Sequence, residues 1–365
     1  MLLSARLRAI DFRSIIFFMM KEFVTPFGGK KIILGIESPK DSVILAIETS
    51  CDETACAVVK NGREVLANIV ATQIKTHKQF GGVVPEVAAR EHLEAINLVI
   101  DEALQQSGLD FSQIDAVAST QGPGLVGALL VGFNAAKALS LAYDKPFLAV
   151  NHLKGHVCAN YIDTDLKPPF ITLLVSGGHT QIIKVESYDK QEIIGETIDD
   201  AVGETYDKAA RLMGIEYPGG PNLDMLAQKG NKNRFKFTEA RVGEFDFSFS
   251  GLKTAVLRLV QSFEKEGDLP KEDIAAGFQE SVTKVLLKKT LVASEKFNIK
   301  TIALAGGVAA NSEIRRKFFE LEKEGYKVFA PQMRFCTDNA AMIASAAYFL
   351  ADVSDNLDAE VFSRA

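Results

Sequence analysis

Two stretches of the chain share one design, and that repetition narrows the folds open to it. In VILAIETSCDETACAVV, Val43 to Val59, an apolar run passes a polar turn carrying Thr49, Ser50, Asp52, Glu53 and Thr54 and enters a second apolar run. FITLLVSGGHTQIIKV, Phe170 to Val185, repeats this around Ser176, Gly177, Gly178, His179 and Thr180. Short β-branched runs joined by polar turn residues read as hairpins. One hairpin at the head of each of two comparable stretches points to an internal duplication, with each half lending a polar loop to a shared cleft. A phosphate or a metal can sit at such a tip.

The intervening sequence alternates strand and helix signals. Glu86 to Gln106 has helical periodicity through Val87, Leu93, Ile96, Val99, Ile100 and Leu104. Asp115 to Thr120 reads as a strand running into Gln121-Gly-Pro-Gly, with a helix to Tyr143 and a strand at Phe147 to Val150. Helices are predicted at Asp200 to Met213, Gly251 to Phe263 and Asp273 to Phe297. Strand Thr301 to Ala305 leads through Gly306-Gly307 to a helix from Asn311, and strand Val328 to Ala330 precedes a last helix, Asp338 to Leu350. Such alternation gives an α/β fold with covered sheets, whose ligands bind where strands end in glycine turns.

At 365 residues the chain accommodates two lobes. Residues 42–150 read as the first lobe, 151–337 as a second lobe carrying metal and nucleotide loops, and 338–365 as a C-terminal helix packing back on the first. Residues 1–41 read as a non-catalytic extension or an upstream start. Arg6, Arg8 and Arg13 would suit a transit peptide, but Asp11, Glu22 and Glu37 oppose one.

Composition excludes some classes. The longest apolar stretch, Gly122 to Tyr143, is broken by four glycines, Pro123, Asn134 and Lys137, so it reads as a buried helix and no membrane span is expected. Cys51, Cys56, Cys158 and Cys336 form no CxxC pair, which suits free thiols in the cytoplasm. A net charge of -6 gives no overall attraction for nucleic acid. One local patch, Lys229, Lys232, Arg234 and Lys236 with Phe235 and Phe237, reads either as a solvated loop with its phenylalanines in the core or as an RNA contact.

Only five histidines occur, and two stand four apart in Asn151-His-Leu-Lys-Gly-His156. On a helix that spacing puts His152 and His156 on one face, able to share a metal. A zinc peptidase would carry Glu directly after the first His as its base, and here the residue is Leu153. A metal at this pair would therefore serve as a Lewis acid rather than activate water for proteolysis. Asp338 offers a third, hard oxygen ligand, although from spacing alone its place before the last helix favours an N-cap. Asp207 can accept from ribose hydroxyls and Gly219-Gly220 can lie against a sugar or base, where an amphipathic helix and a tight turn explain them without a ligand. Asn311 is likewise either an N-cap or a nucleotide contact.

Taken with GGVVPEVAAREH, TQGPGLVGALLVG, DDAVGETYDKAARLMG, YPGGP, FSFSGLKTAV, AGGVAANS and FCTDNAAMIA, these motifs resemble the TsaD family of tRNA N6-adenosine threonylcarbamoyltransferases, once labelled O-sialoglycoprotein endopeptidases. The resemblance runs from Ile44 to Leu350. It implies an actin-like, sugar-kinase-like ATPase fold, duplicated, with two lobes around a nucleotide cleft. It implies His152, His156 and Asp338 as ligands of one divalent metal, Fe2+ first and zinc second. Val175, Ser176, Gly177, Gly178 and His179 would hold phosphate and acyl groups, and Asp207, Gly220 and Asn311 the ribose and adenine. The implied reaction is acyl transfer from threonylcarbamoyl-AMP to tRNA in the cytoplasm, releasing AMP. The implied partners are the non-catalytic paralogue TsaB and the P-loop ATPase TsaE. Against this stand a metallopeptidase, disfavoured by Leu153; a sugar kinase, disfavoured because LVSGGHT holds no aspartate base; and a non-catalytic scaffold, disfavoured by the histidine pair.

Overall fold

The computed structural model describes residues 22–24, 30–32, 42–263, 267–350 and 357–364. A short antiparallel pair, β1 (Glu22–Val24) and β2 (Lys30–Ile32), precedes the main body. The expectation for residues 1–41 otherwise lies outside the described residues.

The first repeated stretch forms β3 (Val43–Glu48) and β4 (Glu53–Lys60), antiparallel, with Ile47 opposite Cys56. β5 (Glu64–Thr72) extends this meander on one side, and β6 (Ala116–Gly122) and β7 (Phe147–Asn151) add in parallel on the other. The second stretch forms β8 (Phe170–Val175) and β9 (Thr180–Val185), extended by β10 (Gln191–Glu196) and joined in parallel by β11 (Thr301–Ala305) and β12 (Lys327–Phe329). The sheet orders are β5-β4-β3-β6-β7 and β10-β9-β8-β11-β12, so each strand of one sheet has a counterpart in the other. The duplication read from the two hairpins is thus a duplication of whole sheets.

β3 and β8 are apolar almost throughout because each is the central strand of a sheet covered on both faces. Helices α1 (Ile74–Lys78), α2 (Pro85–Ser107) and α3 (Val126–Ala142) belong to the first half. Leu45, Ile47 and Val117 of its sheet share a core with Ile96 and Ile100 of α2 and Phe133 of α3. Between the sheets lie α4 (His152–Cys158) and, far along the chain, a last helix, and their core takes Ile44 and Ala118 from one sheet and Phe170, Leu174 and Ala303 from the other. The outer face of the second sheet is covered by α5 (Val202–Leu212), α6 (Gly219–Ala227), α7 (Ser250–Phe263), α8 (Lys271–Phe297) and α9 (Ser312–Glu320). The last helix, α10 (Ala340–Phe349), is buried along its whole length because it fills the middle layer, against α4 and the first sheet. No described helix is long and apolar enough to cross a membrane.

Residues 357–364 return across the first half. The Lys137 ammonium donates to the Ala359 carbonyl at 2.7 Å, and the Phe362 amide donates to the Gln121 carbonyl at 3.2 Å.

Candidate metal and nucleotide site

The histidine pair sits where the parallel strand β7 ends. Asn151 closes the start of α4 by accepting from the amides of Leu153 and Lys154, at 2.9 and 3.2 Å, which fixes where the helix begins and so which way His152 points. The two imidazoles stand 4.7 Å apart, centroid to centroid, with planes at 84°. Both present Nε2 to Oδ1 of Asp338, at 3.5 Å from His152 and 3.2 Å from His156. Among the described residues these three are the one group of His, Cys, Asp and Glu side chains whose ligand atoms all lie within 4.8 Å of one another.

Asp338 comes to this position because it is not the cap of α10. The cap is Asn339, whose side chain accepts from the Met342 amide at 3.0 Å, and this corrects the capping alternative for Asp338. Burial disfavours the Asp338 carboxylate, but His152 and His156 outweigh it and bring its pKa down to about 2. Burial likewise opposes a charge on His152, yet the carboxylates of Asp338 and Glu48 lift its imidazole to about 9. Each group thus favours the charged form of the other.

The loop Val175 to His179 lies beside this centre. Ser176 and His179 close it: the Ser176 amide donates to the His179 carbonyl at 2.9 Å, and the His179 amide donates to the Ser176 hydroxyl at 3.1 Å. Burial and the charges of His152 and His156 hold the His179 imidazole below its ordinary range. A Cβ on Gly177 or Gly178 would meet no atom within 4 Å, so the loop shows bare backbone to the cleft. Two other glycines let it sit there. Gly203, in the first turn of α5, donates to the Ser176 carbonyl, and a Cβ on it would stand 2.6 Å from that oxygen. Gly306, at the end of β11, has φ +87° and packs against the Val175 carbonyl.

One turn further along α5, Asp207 accepts from the Gly220 amide at 3.0 Å; burial raises its pKa and the amides of Gly220 and Gly219 pull it back. Asp207, Lys208, Arg211, Tyr217 and Gly219 face Gly81 and Gly82 of the first half across a cavity of about 390 Å³. Asn311 caps α9 by accepting from Glu313 and Ile314, and its amide group donates to Gln279 at 2.9 Å, so its capping role is realised. Phe235 and Phe237 pack against the core of the second half, Arg234 pairs with Asp273 and Lys232 with Glu280. These contacts are what the solvated-loop alternative expects of the patch, with both phenylalanines partly buried.

Sequence reading missed Glu48. It is fully buried, accepts from the Ser50 amide and the Thr120 hydroxyl, and lies 3.2 Å from Nδ1 of His152. A lone carboxylate closing a strand of five apolar residues was the available signal.

A sequence model of the TsaD family, described as tRNA N6-adenosine threonylcarbamoyltransferase, matches residues 64–345. The chain belongs to this family. A TsaD relative of the same description from Clostridium perfringens is 55% identical over 312 residues, covering 84% of this chain and 92% of its own length. One from Thermosipho africanus is 53% identical over 312 residues, covering 84% and 94%, and one from Bacillus subtilis is 51% identical over 311 residues, covering 84% and 90%. Among solved structures, HypF of T. kodakarensis superposes with a TM-score of 0.60 at 17% identity over 87% of this chain. A full-length HypF in a phosphate- and nucleotide-bound form does so with 0.59 at 15% over 88%. The chain spans about half the length of each HypF, and at these identities the likeness concerns the fold alone. The TsaD chain thus has a duplicated α/β fold of two five-stranded sheets, shared with the matching part of HypF.

Proposed function

We propose that the chain transfers the threonylcarbamoyl group of threonylcarbamoyl-AMP to N6 of the adenosine 3′ to the anticodon, in tRNAs reading codons that begin with adenine. The observation that carries this reading is the convergence of His152, His156 and Asp338 beside the open Val175–His179 loop, in a chain of this family. Two imidazoles and one carboxylate leave coordination positions open and suit Fe2+ first and Zn2+ second. A divalent ion bound there supplies Lewis-acid polarisation of a carbonyl or phosphoryl oxygen.

The substrate is a mixed anhydride and already activated, so orientation and charge complementarity are what the chain's residues contribute. The backbone of Ser176, Gly177 and Gly178 receives the phosphate, with Val175 and His179 fixing the loop ends. Asp207 and Gly220 hold the ribose, and Asn311 keeps the start of α9 in place beside the adenine. As the bond from N6 to the carbamoyl carbon forms, the bond from that carbon to the phosphate oxygen breaks, N6 gives up a proton and AMP leaves. The reading places the chain in the cytoplasm with paralogue TsaB and ATPase TsaE as partners.

The test is reconstitution from the purified chain, threonylcarbamoyl-AMP and unmodified tRNA, with and without the two partners, scored by nucleoside mass spectrometry. The reading expects threonylcarbamoyladenosine and AMP in equal amounts. Cleavage of a glycoprotein without tRNA modification would restore the peptidase.

A further inference from the structure

We propose that Glu48 is a positioning residue for His152, holding its ring in the tautomer and orientation that present Nε2 to a metal. The inference rests on the reading of His152, His156 and Asp338 as ligands. Glu48 ends β3, is fully buried, and no described lysine or arginine lies within ion-pair distance of it. Three donors surround it instead. The Ser50 amide donates to Oε1 and the Thr120 hydroxyl to Oε2. The third is Nδ1 of His152, 3.2 Å from Oε2.

A carboxylate oxygen that accepts from His152 keeps the proton on Nδ1, so the nitrogen that would give up its proton to a bound cation is Nε2, on the side facing Asp338 and His156. Ser50 Oγ, also 3.2 Å from Nδ1, limits rotation of the ring from the other side. Among the described residues His156 has no equivalent, since its Nδ1 is buried without a hydrogen-bond partner there. The two ligands are therefore unequal: His152 is aimed by hydrogen bonds, whereas His156 is held by packing. Carboxylates placed behind ligating histidines fix the ring and raise its basicity, and removing them weakens metal binding by roughly 10–100-fold.

The hairpin tip gives the carboxylate a second, purely structural task, since it also accepts from Ser50. Glu48→Gln separates the two. Its oxygen can still accept from Ser50, while the amide nitrogen facing His152 donates a hydrogen bond and so favours a lone pair on Nδ1, the tautomer that cannot ligate through Nε2.

The experiment measures Zn2+ affinity by chelator competition and records the visible spectrum with Co2+, for the full chain, Glu48→Gln, Glu48→Asp and His152→Ala. Glu48→Gln is expected to bind Zn2+ roughly 10–100-fold more weakly than the wild type, with a shifted Co2+ spectrum and an unchanged circular dichroism spectrum. Glu48→Asp, which keeps the charge but withdraws it from Nδ1, is expected to lose affinity as well, and it decides the matter should Glu48→Gln fail to fold. Wild-type affinity and an unshifted spectrum in the folded Glu48 variants would overturn the proposal while leaving the metal site standing. Equal Zn2+ binding by wild type and His152→Ala would instead remove the metal reading beneath it.

Discussion

Nε2 of His156 stands 3.2 Å from Oδ1 of Asp338, joining the short helix after β7 to the loop before α10. Both elements belong to the middle layer, packed on each other between the two sheets. Their geometry is therefore set by the core and not by an exposed loop. His152→Ala, His156→Ala and the double variant should keep the circular dichroism spectrum of the wild type, because α4 and α10 retain their apolar contacts. Metal analysis should find the ion in the wild type and none in the double variant. A double variant that retained it would place the ion elsewhere.

Gly203→Ala should cost about 1–3 kcal/mol, the range for forcing an extra methyl into a packed site. Its Cβ would press on the Ser176 carbonyl and displace the phosphate loop. Gly220→Ala is the contrast, since its Cβ would meet nothing nearer than Tyr206 at 3.9 Å. Urea melts should show a loss for Gly203→Ala and little for Gly220→Ala, with AMP binding weakened in both. Equal stability would mean that the loop yields.

His92 is fully buried, with Nδ1 2.7 Å from the Thr54 hydroxyl and Nε2 3.0 Å from the Cys51 carbonyl. Burial holds its pKa below the ordinary 6.5, against the pull of the Cys51 carbonyl and the charges of Glu48 and Asp52. The unfolded chain therefore takes up a proton that the folded chain refuses. The contribution is present above 6.5 and is lost as pH falls towards the folded value, with a slope of at most about 1.4 kcal/mol per pH unit. Denaturant melts from neutral pH down to about pH 5 should show a shallower slope in His92→Gln than in the wild type. Identical slopes would assign the acid lability to other groups.

Arg63 fastens the tip of the β4–β5 hairpin to the segment joining the halves. It donates to the carbonyls of Tyr161, Thr164 and Leu166 at 2.7–3.0 Å and lies over the rings of Tyr161 and Phe349. Arg63→Ala should destabilise the chain by at least about 1.5–3 kcal/mol, the contribution of a single hydrogen bond to a charged group. A change in melting midpoint too small to measure would show that water replaces the guanidinium.

Much of this was legible in the sequence because it depends on local pattern. The apolar runs of β3 and β8 and the polar turns after them announced both sheets, and the four-residue spacing of His152 and His156 put them on one helical face. What escaped was set by distant packing. Glu48 becomes a partner of His152 only because β3 pairs with β6 and β6 with β7, bringing the end of one strand beside the helix that follows another. Asp338 and Asn339 are both good caps, and only the chain path into α10 selects the second. The alternation of Lys, Arg and Phe from Lys232 to Phe237 favours a solvated loop over base stacking, but only the fold shows which core the two phenylalanines pack against.

The central claim, that the site of His152, His156 and Asp338 performs transfer to tRNA, is tested most directly by the yield of threonylcarbamoyladenosine per tRNA in the reconstituted reaction. Wild type and the folded, metal-free His152→Ala/His156→Ala variant are compared under identical conditions. The account predicts product with the first and none above background with the second. Equal yields from both would contradict it.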